Sequence, residues 1–222
     1  MCGRFTLTID SEELQEQFPG FTFPAAVAPR YNIAPGQPLL AIPNDGKLTA
    51  DLLTWGLIPT WAKDPSIGSR MINARAETLA EKPSFRGSFK YKRCLIPADG
   101  FFEWQATPGT KLKVPFFIHL REHATFAFAG LWDSWQGPDG SVIRSCTIIT
   151  TQPNSIMSPI HNRMPVILDA RDFEAWLEPA ARTPASLQSL LRPYPAERMQ
   201  AFVVSTFVNR PANEGPDCIA PA

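Results

Sequence analysis

Covalent chemistry could begin at the second residue of this sequence, Cys2. Removal of Met1 would leave an α-amine and a thiol on one residue. The amine titrates at about 7.7–8.0 and the thiol near about 8.5, so both have reactive forms at neutral pH. An aldehyde meeting this pair can condense with the amine to a Schiff base, and the thiol can then close a five-membered thiazolidine ring. An internal cysteine cannot do this, because its nitrogen is an amide. On the fragment MCGRF alone, an ordinary small residue near a terminus is the commoner reading.

Three further stretches carry usable groups. Asn73-Ala-Arg-Ala-Glu77 sets an amide, a guanidinium and a carboxylate on alternate residues. In an extended segment all three point to one side and could hold a terminus and a phosphate together. A surface strand with an Arg–Glu pair has the same pattern. Glu103 lies between Phe102 and Trp104, just after Gly100. A poorly solvated carboxylate holds a proton more readily and suits proton transfer, although an outward residue on an amphipathic strand is the commoner case. His161 precedes a strand-like run beside Arg163; loops there often carry sites, and lone histidines are more often structural.

Nucleic acid is suggested by the stretch from Lys82 to Arg93. It holds five basic residues, Arg86 among them, and no acidic one, with Phe85, Phe89 and Tyr91 interleaved. Basic groups grip phosphate and aromatic rings stack on unpaired bases. A solvated basic face over core aromatics reads the same way. Trp55 and Trp61 flank a turn, where a tryptophan is either core or a stacking platform.

Composition limits the alternatives. The chain has 222 residues, 44% hydrophobic and 19% charged, with no net charge. That is too apolar for a disordered chain and argues against coating duplex DNA by bulk charge, while leaving room for a local basic groove. The 23 prolines are scattered, which suggests short elements and ordered loops. Cys2, Cys94, Cys146 and Cys218 lie far apart, without zinc or redox-motif spacing, and there are three histidines, so no metal site is expected. No apolar run reaches membrane-spanning length, and MCGRFTLTID lacks the basic start and apolar stretch of a signal peptide. A reducing cytosol is the expected setting.

The elements that must position these groups can be sketched. Asp10 with Glu13 forms a capping-box signature ahead of Leu14 and Phe18. Strands are expected at 39–42, 52–57, 94–96, 101–104, 115–120, 126–132, 142–151, 164–168 and 200–205, with a helical turn at 76–81 and a hairpin turn at 137–140. Asp169 and Thr183-Pro184 open helices running through Leu177 and Leu191. The tail from about 211 is polar and expected to be extended. The order predicts one α+β domain over 1–222 with a large, mostly antiparallel sheet.

Six ordered motifs add a resemblance. Met1-Cys-Gly-Arg-Phe5, Arg30-Tyr-Asn-Ile-Ala-Pro-Gly36, Trp55-Gly-Leu-Ile-Pro59, Asn73-Ala-Arg-Ala-Glu-Thr78, the stretch from Arg93 to Trp104, and Ile160-His-Asn-Arg-Met-Pro165 strongly resemble the SRAP family, the SOS-response-associated peptidase proteins that shield abasic sites in single-stranded DNA. The likeness extends to about Pro216 through Val208-Asn209 and Glu214-Gly-Pro216. It implies that Cys2 becomes the N-terminal nucleophile, that Asn73 positions it, and that Glu103 shuttles protons. It implies that His161 assists sugar opening and proton transfer. Arg4, Arg75 and Arg163 match positions that contact DNA phosphates; Pro35, Trp61, Thr150 and Met164 match positions lining the DNA path. The family fold implied is a compact domain on a curved, barrel-like sheet with flanking helices. The partner implied is single-stranded DNA with abasic sites, and no cofactor or metal is needed. The setting implied is a cytoplasmic monomer, joining the nucleoid on DNA damage in a bacterium. Two departures stand out: Ala62 replaces a second aromatic, and Asn162 stands where relatives can carry an acid.

Three functions compete at this point. One is covalent capture of abasic sites through a thiazolidine, with a possible strand-cleaving lyase step through the same Schiff base. Another is a cysteine peptidase acting on its own N-terminus or on other proteins. The third is noncovalent single-strand binding with Cys2 incidental. The first is preferred.

Overall fold

The computed structural model describes residues 2–180 and 183–222; Met1, whose removal the sequence reading invokes, lies outside the described residues. In chain order the elements are β1 (Phe5–Leu7), α1 (Ser11–Gln17), β2 (Arg30–Ile33), β3 (Pro38–Pro43), β4 (Asp51–Trp55), β5 (Asn73–Arg75), α2 (Arg86–Tyr91), β6 (Arg93–Ala98), β7 (Gly100–Ala106), β8 (Lys113–Leu120) and β9 (Phe126–Gln136). There follow β10 (Val142–Thr151), β11 (Met164–Pro165), β12 (Ile167–Leu168), α3 (Phe173–Leu177), α4 (Pro184–Gln188) and β13 (Met199–Val203).

Five strands close on themselves. β10 pairs with β4, β4 with β3, β3 with β6, β6 with β9, and β9 returns to β10. All but the parallel β4–β10 pair are antiparallel. Long β9 makes closure possible, because its residues Phe126 to Leu131 pair with β6 and Gly130 to Gln136 with β10. At the overlap stands Gly130, where a side-chain carbon would sit 2.7 Å from Cys94 Sγ. Leu95, Ile148 and Phe128 are fully buried in the core, so the barrel is filled with side chains, as expected for so few strands.

The chain leaves the barrel through one residue. β6 ends at Ala98 and β7 begins at Gly100, in a second, antiparallel sheet ordered β13-β8-β7-β1-β2. The intervening Asp99 pins this corner by accepting from the Thr8 backbone N–H at 2.5 Å and the Thr8 hydroxyl at 2.6 Å. One face of this sheet meets the barrel: Phe5 and Phe101 approach Phe128 edge-on at 5.7 and 6.1 Å. A second cluster of Phe102, Phe117, Val204, Val208 and Cys218 holds the C-terminal tail.

The α+β, barrel-like expectation is met, and so are the Asp10 capping box and the 137–140 hairpin between β9 and β10. The tail needs correction. It turns through Pro216–Cys218, buries Cys218, and bridges Pro221 to Val204. Buried Asn32 donates to the carbonyls of Val208, Arg210 and Asn213, and Glu214 accepts from Tyr31 N–H. Polar, proline-containing chain is thus ordered by side-chain bonds to its backbone. The 164–168 strand divides into β11 and β12, because Val166 between them bonds Ile149 on one side and Ala129 on the other. The last α-helix ends at Gln188, not Leu191. Among the described residues, no helix is long and apolar enough to cross a membrane.

Candidate functional site

Cys2 sits just before β1, which pairs with β2 on one side and β7 on the other and so anchors it to the second sheet. Its side chain has no exposed surface. Asn73 comes from the barrel: β5 runs parallel to β10, with Asn73 opposite Ile148. Ala74 is buried behind it, and the Asn73 Nδ2 group donates to the Cys2 carbonyl at 2.7 Å. One hydrogen bond therefore ties the segment before β1 to the barrel. The one-sided pattern of the Asn73 stretch holds for Asn73 and Arg75 only. Glu77 already lies in the 3-10 turn Ala76–Thr78.

Glu103 lies on β7 opposite Phe116 and is 2% exposed. His161, in the loop between β10 and β11, brings Nδ1 to 4.0 Å from Glu103 Oε1. The Arg163 backbone N–H lies 3.1 Å from the same Nδ1, and the Arg163 carbonyl lies 3.4 Å from it. Burial pushes the Cys2 thiol well above its ordinary range, and the negative charge of Glu103 pushes it further. Its sulfur therefore stays S–H at neutral pH.

An open cavity of about 390 Å³ is lined by Arg4, Glu103, Trp104, Lys113, His161 and Asn209, and not by Cys2 or Asn73. Arg4 donates to Asn32 Oδ1 at 2.7 Å and to the carbonyls of Val208 and Asn209 at 2.8 and 3.2 Å. Its guanidinium lies 5.8 Å from the centre of the Trp104 ring, and Trp104 Nε1 donates to Asn209 Oδ1 at 2.7 Å. Two cations, an aromatic face and an acid–imidazole pair thus border one space sized for a small anionic fragment. Sequence reasoning did not single out Lys113, Asn32 or the indole of Trp104. Asn209 was noted only as part of a closing motif. Strand pairing and the returning tail collect these residues, which are far apart along the chain.

The expected DNA-path residues divide. Arg4 shares the cavity, and exposed Arg75 adjoins Asn73. Pro35 and Arg86 are exposed, and Trp61 is 57% exposed, but they lie outside this cavity. Thr150 and Met164 have no exposed surface, so their side chains do not line an open path. Arg163 is also buried; its guanidinium takes Glu77 in a two-pronged ion pair at 2.7 and 2.9 Å and donates to the Thr150 carbonyl at 2.5 Å. These bonds from Arg163 hold the Glu77 carboxyl below the usual carboxylate range. The basic stretch divides between surface and core: Lys82, Arg86, Lys90 and Tyr91 are exposed. Phe85 and Phe89 are buried, Lys92 pairs with Asp133, and buried Arg93 donates to the carbonyls of Trp176, Phe89, Lys90 and Glu178. Among the described residues, no group of three or more His, Cys, Asp or Glu is placed to hold a metal ion.

Residues 1–211 match the model of SRAP, the SOS response associated peptidase family. The chain belongs to the SRAP family. Among its SRAP-type relatives is the abasic site processing protein YoqW of Bacillus subtilis (strain 168), 50% identical with 99% of each chain covered. The abasic site processing protein HMCES of Gallus gallus is 32% identical, over all of this chain and 78% of its own. A crystal structure of a Bacteroides thetaiotaomicron protein superposes on the SRAP fold described above with a TM-score of 0.89, at 28% identity and full coverage of both chains. One from Bordetella bronchiseptica gives 0.78 at 26% identity, covering 92% of this chain and all of its own.

Proposed function

We propose that this SRAP protein senses abasic sites in single-stranded DNA and captures them covalently through Cys2 once Met1 has been hydrolysed away. The observation that carries this reading is the 2.7 Å bond from Asn73 to the Cys2 carbonyl, with the thiol of Cys2 within the electrostatic reach of Glu103, the partner of His161. An abasic deoxyribose in its open form presents an aldehyde. The freed Cys2 amine adds to it and water leaves, giving a Schiff base. The Cys2 thiol then adds across that bond, sulfur to carbon and proton to nitrogen, closing a thiazolidine. Glu103 and His161 accept and return the protons these steps move. Arg4 and Lys113 offer charge for a flanking phosphate, and the resulting adduct shields the lesion. The name of the matched family and those of the YoqW and HMCES relatives point the same way.

Self-processing belongs to the same reading in a narrow form. The bond to be cut joins the Met1 carbonyl to the Cys2 nitrogen. Asn73 bonds the next carbonyl along, that of Cys2, so its part is to hold the end in place. Hydrolysis by the chain's own residues, with Glu103 moving the proton, is the peptidase activity we assign. The protein works as a cytoplasmic monomer in this proposal.

The test is a denaturing gel of purified protein with a single-stranded oligonucleotide carrying one abasic site, with loss of Met1 verified by intact mass. A slowed band is expected for wild type with the abasic strand alone, and none for Cys2→Ala. Absence of that band in protein shown to lack Met1 would sink the proposal.

A further inference from the structure

Trp61 and Tyr91 are two of the exposed large hydrophobic side chains, at 57% and 51%. They come from separate elements, the turn after β4 and the last residue of α2, yet both border one small cleft of about 190 Å³. Leaving two aromatic rings in water is costly unless something covers them.

The backbone under both rings is fixed. Asp133 on β9, only 6% exposed, accepts from Thr60 N–H at 3.1 Å and from Lys92 Nζ at 2.5 Å. One buried carboxylate therefore ties together the residue before Trp61 and the residue after Tyr91. Trp135 Nε1 donates to the Ala62 carbonyl at 2.7 Å, and Asn44 Nδ2 to the Tyr91 carbonyl at 3.1 Å. Both rings thus stand on segments locked from either side, the preorganisation that a binding site needs.

The surroundings select the occupant. Lys90 Nζ sits 5.0 Å from the centre of the Tyr91 ring, and Lys82, Arg86 and Lys90 are exposed along this segment. Aromatic rings among cations suit a base with its phosphate. Asp133 pairs with Ser145 on β10, three residues from Ile148, the partner of Asn73. Along the strand that is about 10 Å. We propose that this cleft holds an unpaired nucleobase of the strand, Tyr91 supplying the second aromatic surface that Ala62 does not. This rests on the reading that the chain binds single-stranded DNA.

Binding is measured on an intact single-stranded oligonucleotide containing 2-aminopurine, so that no adduct can form. Tyr91→Ala weakens binding about five- to a hundredfold and abolishes the fluorescence quenching that stacking causes. Tyr91→Phe keeps both. Trp61→Ala behaves as Tyr91→Ala, and the double variant loses less than the product of the two, since both rings grip one base. Leu112→Ala, at an exposed apolar residue elsewhere, leaves binding as it was. Wild-type affinity and quenching in Tyr91→Ala would overturn the proposal; so would an equal loss on fully paired duplex, or no binding by wild type. Adduct formation with abasic DNA is read separately on the same proteins. An adduct without a Tyr91 effect sinks the cleft and leaves the capture reading intact; a Tyr91 effect without an adduct does the reverse.

Discussion

Cys2 combines two opposed demands. A nucleophile needs reach, yet this thiol is fully buried beside a carboxylate, both of which hold its proton on. The arrangement suits a thiol that acts second, after the amine has brought the aldehyde to it. It also makes a pH prediction. In protein that retains Met1, alkylation of Cys2 at pH 7 is slower than that of a free thiol, and its rate climbs with pH past the ordinary thiol range. Glu103→Gln removes the second cause of the shift and moves the profile to lower pH. Peptide mapping after iodoacetamide treatment checks both, and alkylation as fast as glutathione at pH 7 would refute the claim. The same raised value has a stability sign. The folded state holds this proton when the unfolded chain has lost it, so Cys2's contribution is present below the unfolded thiol pKa and is lost as pH rises through the folded one.

The elements around the site are held by a few close backbone approaches. Gly56 follows β4 at a φ of +134°, where its amide reaches the Cys146 carbonyl at 2.8 Å. A side-chain carbon there would lie 2.6 Å from the Gly68 carbonyl. No rotamer can relieve a clash with backbone, so Gly56→Ala should cost about 1–3 kcal/mol, read as a lower denaturant midpoint at unchanged slope. Because the same turn leads to Trp61, the variant should also weaken single-strand binding. An unchanged midpoint would show that the two loops can part freely.

Across the whole molecule, Arg93 joins parts that the sequence keeps far apart. It stands at the start of β6 with no exposed surface, donates to carbonyls in α2 and α3, and lies 5.9 Å from the Trp176 ring centre. Arg93→Ala would leave those carbonyls without their donor around a cavity, a loss of roughly 3–5 kcal/mol. Urea unfolding measures it. Since Arg93 does not line the cavity that holds Glu103 and His161, covalent capture by the remaining folded fraction should proceed as in wild type. A loss of capture without a loss of stability would place Arg93 on the DNA path after all.

Local patterns were legible in the sequence where local physics decides them. The Asp10 cap, the 137–140 turn and the long apolar β9 and β10 follow from side chains acting on their own neighbourhood. Cys2, Asn73, Glu103 and His161 stood out because their chemistry is unusual for their setting, and the motif order that holds them is written in the chain. Tertiary structure alone decided which groups meet. β1 and β5 are three residues each, too short for periodicity to register, yet they bring Cys2 and Asn73 into contact. Burial was likewise invisible: Arg163 and Arg93 read as free cations until closure of the barrel and docking of α3 enclosed them. A sequence states what each residue can do; which partner it finds across 30 or 100 intervening residues depends on strand register and barrel closure, and these are properties of the packed whole.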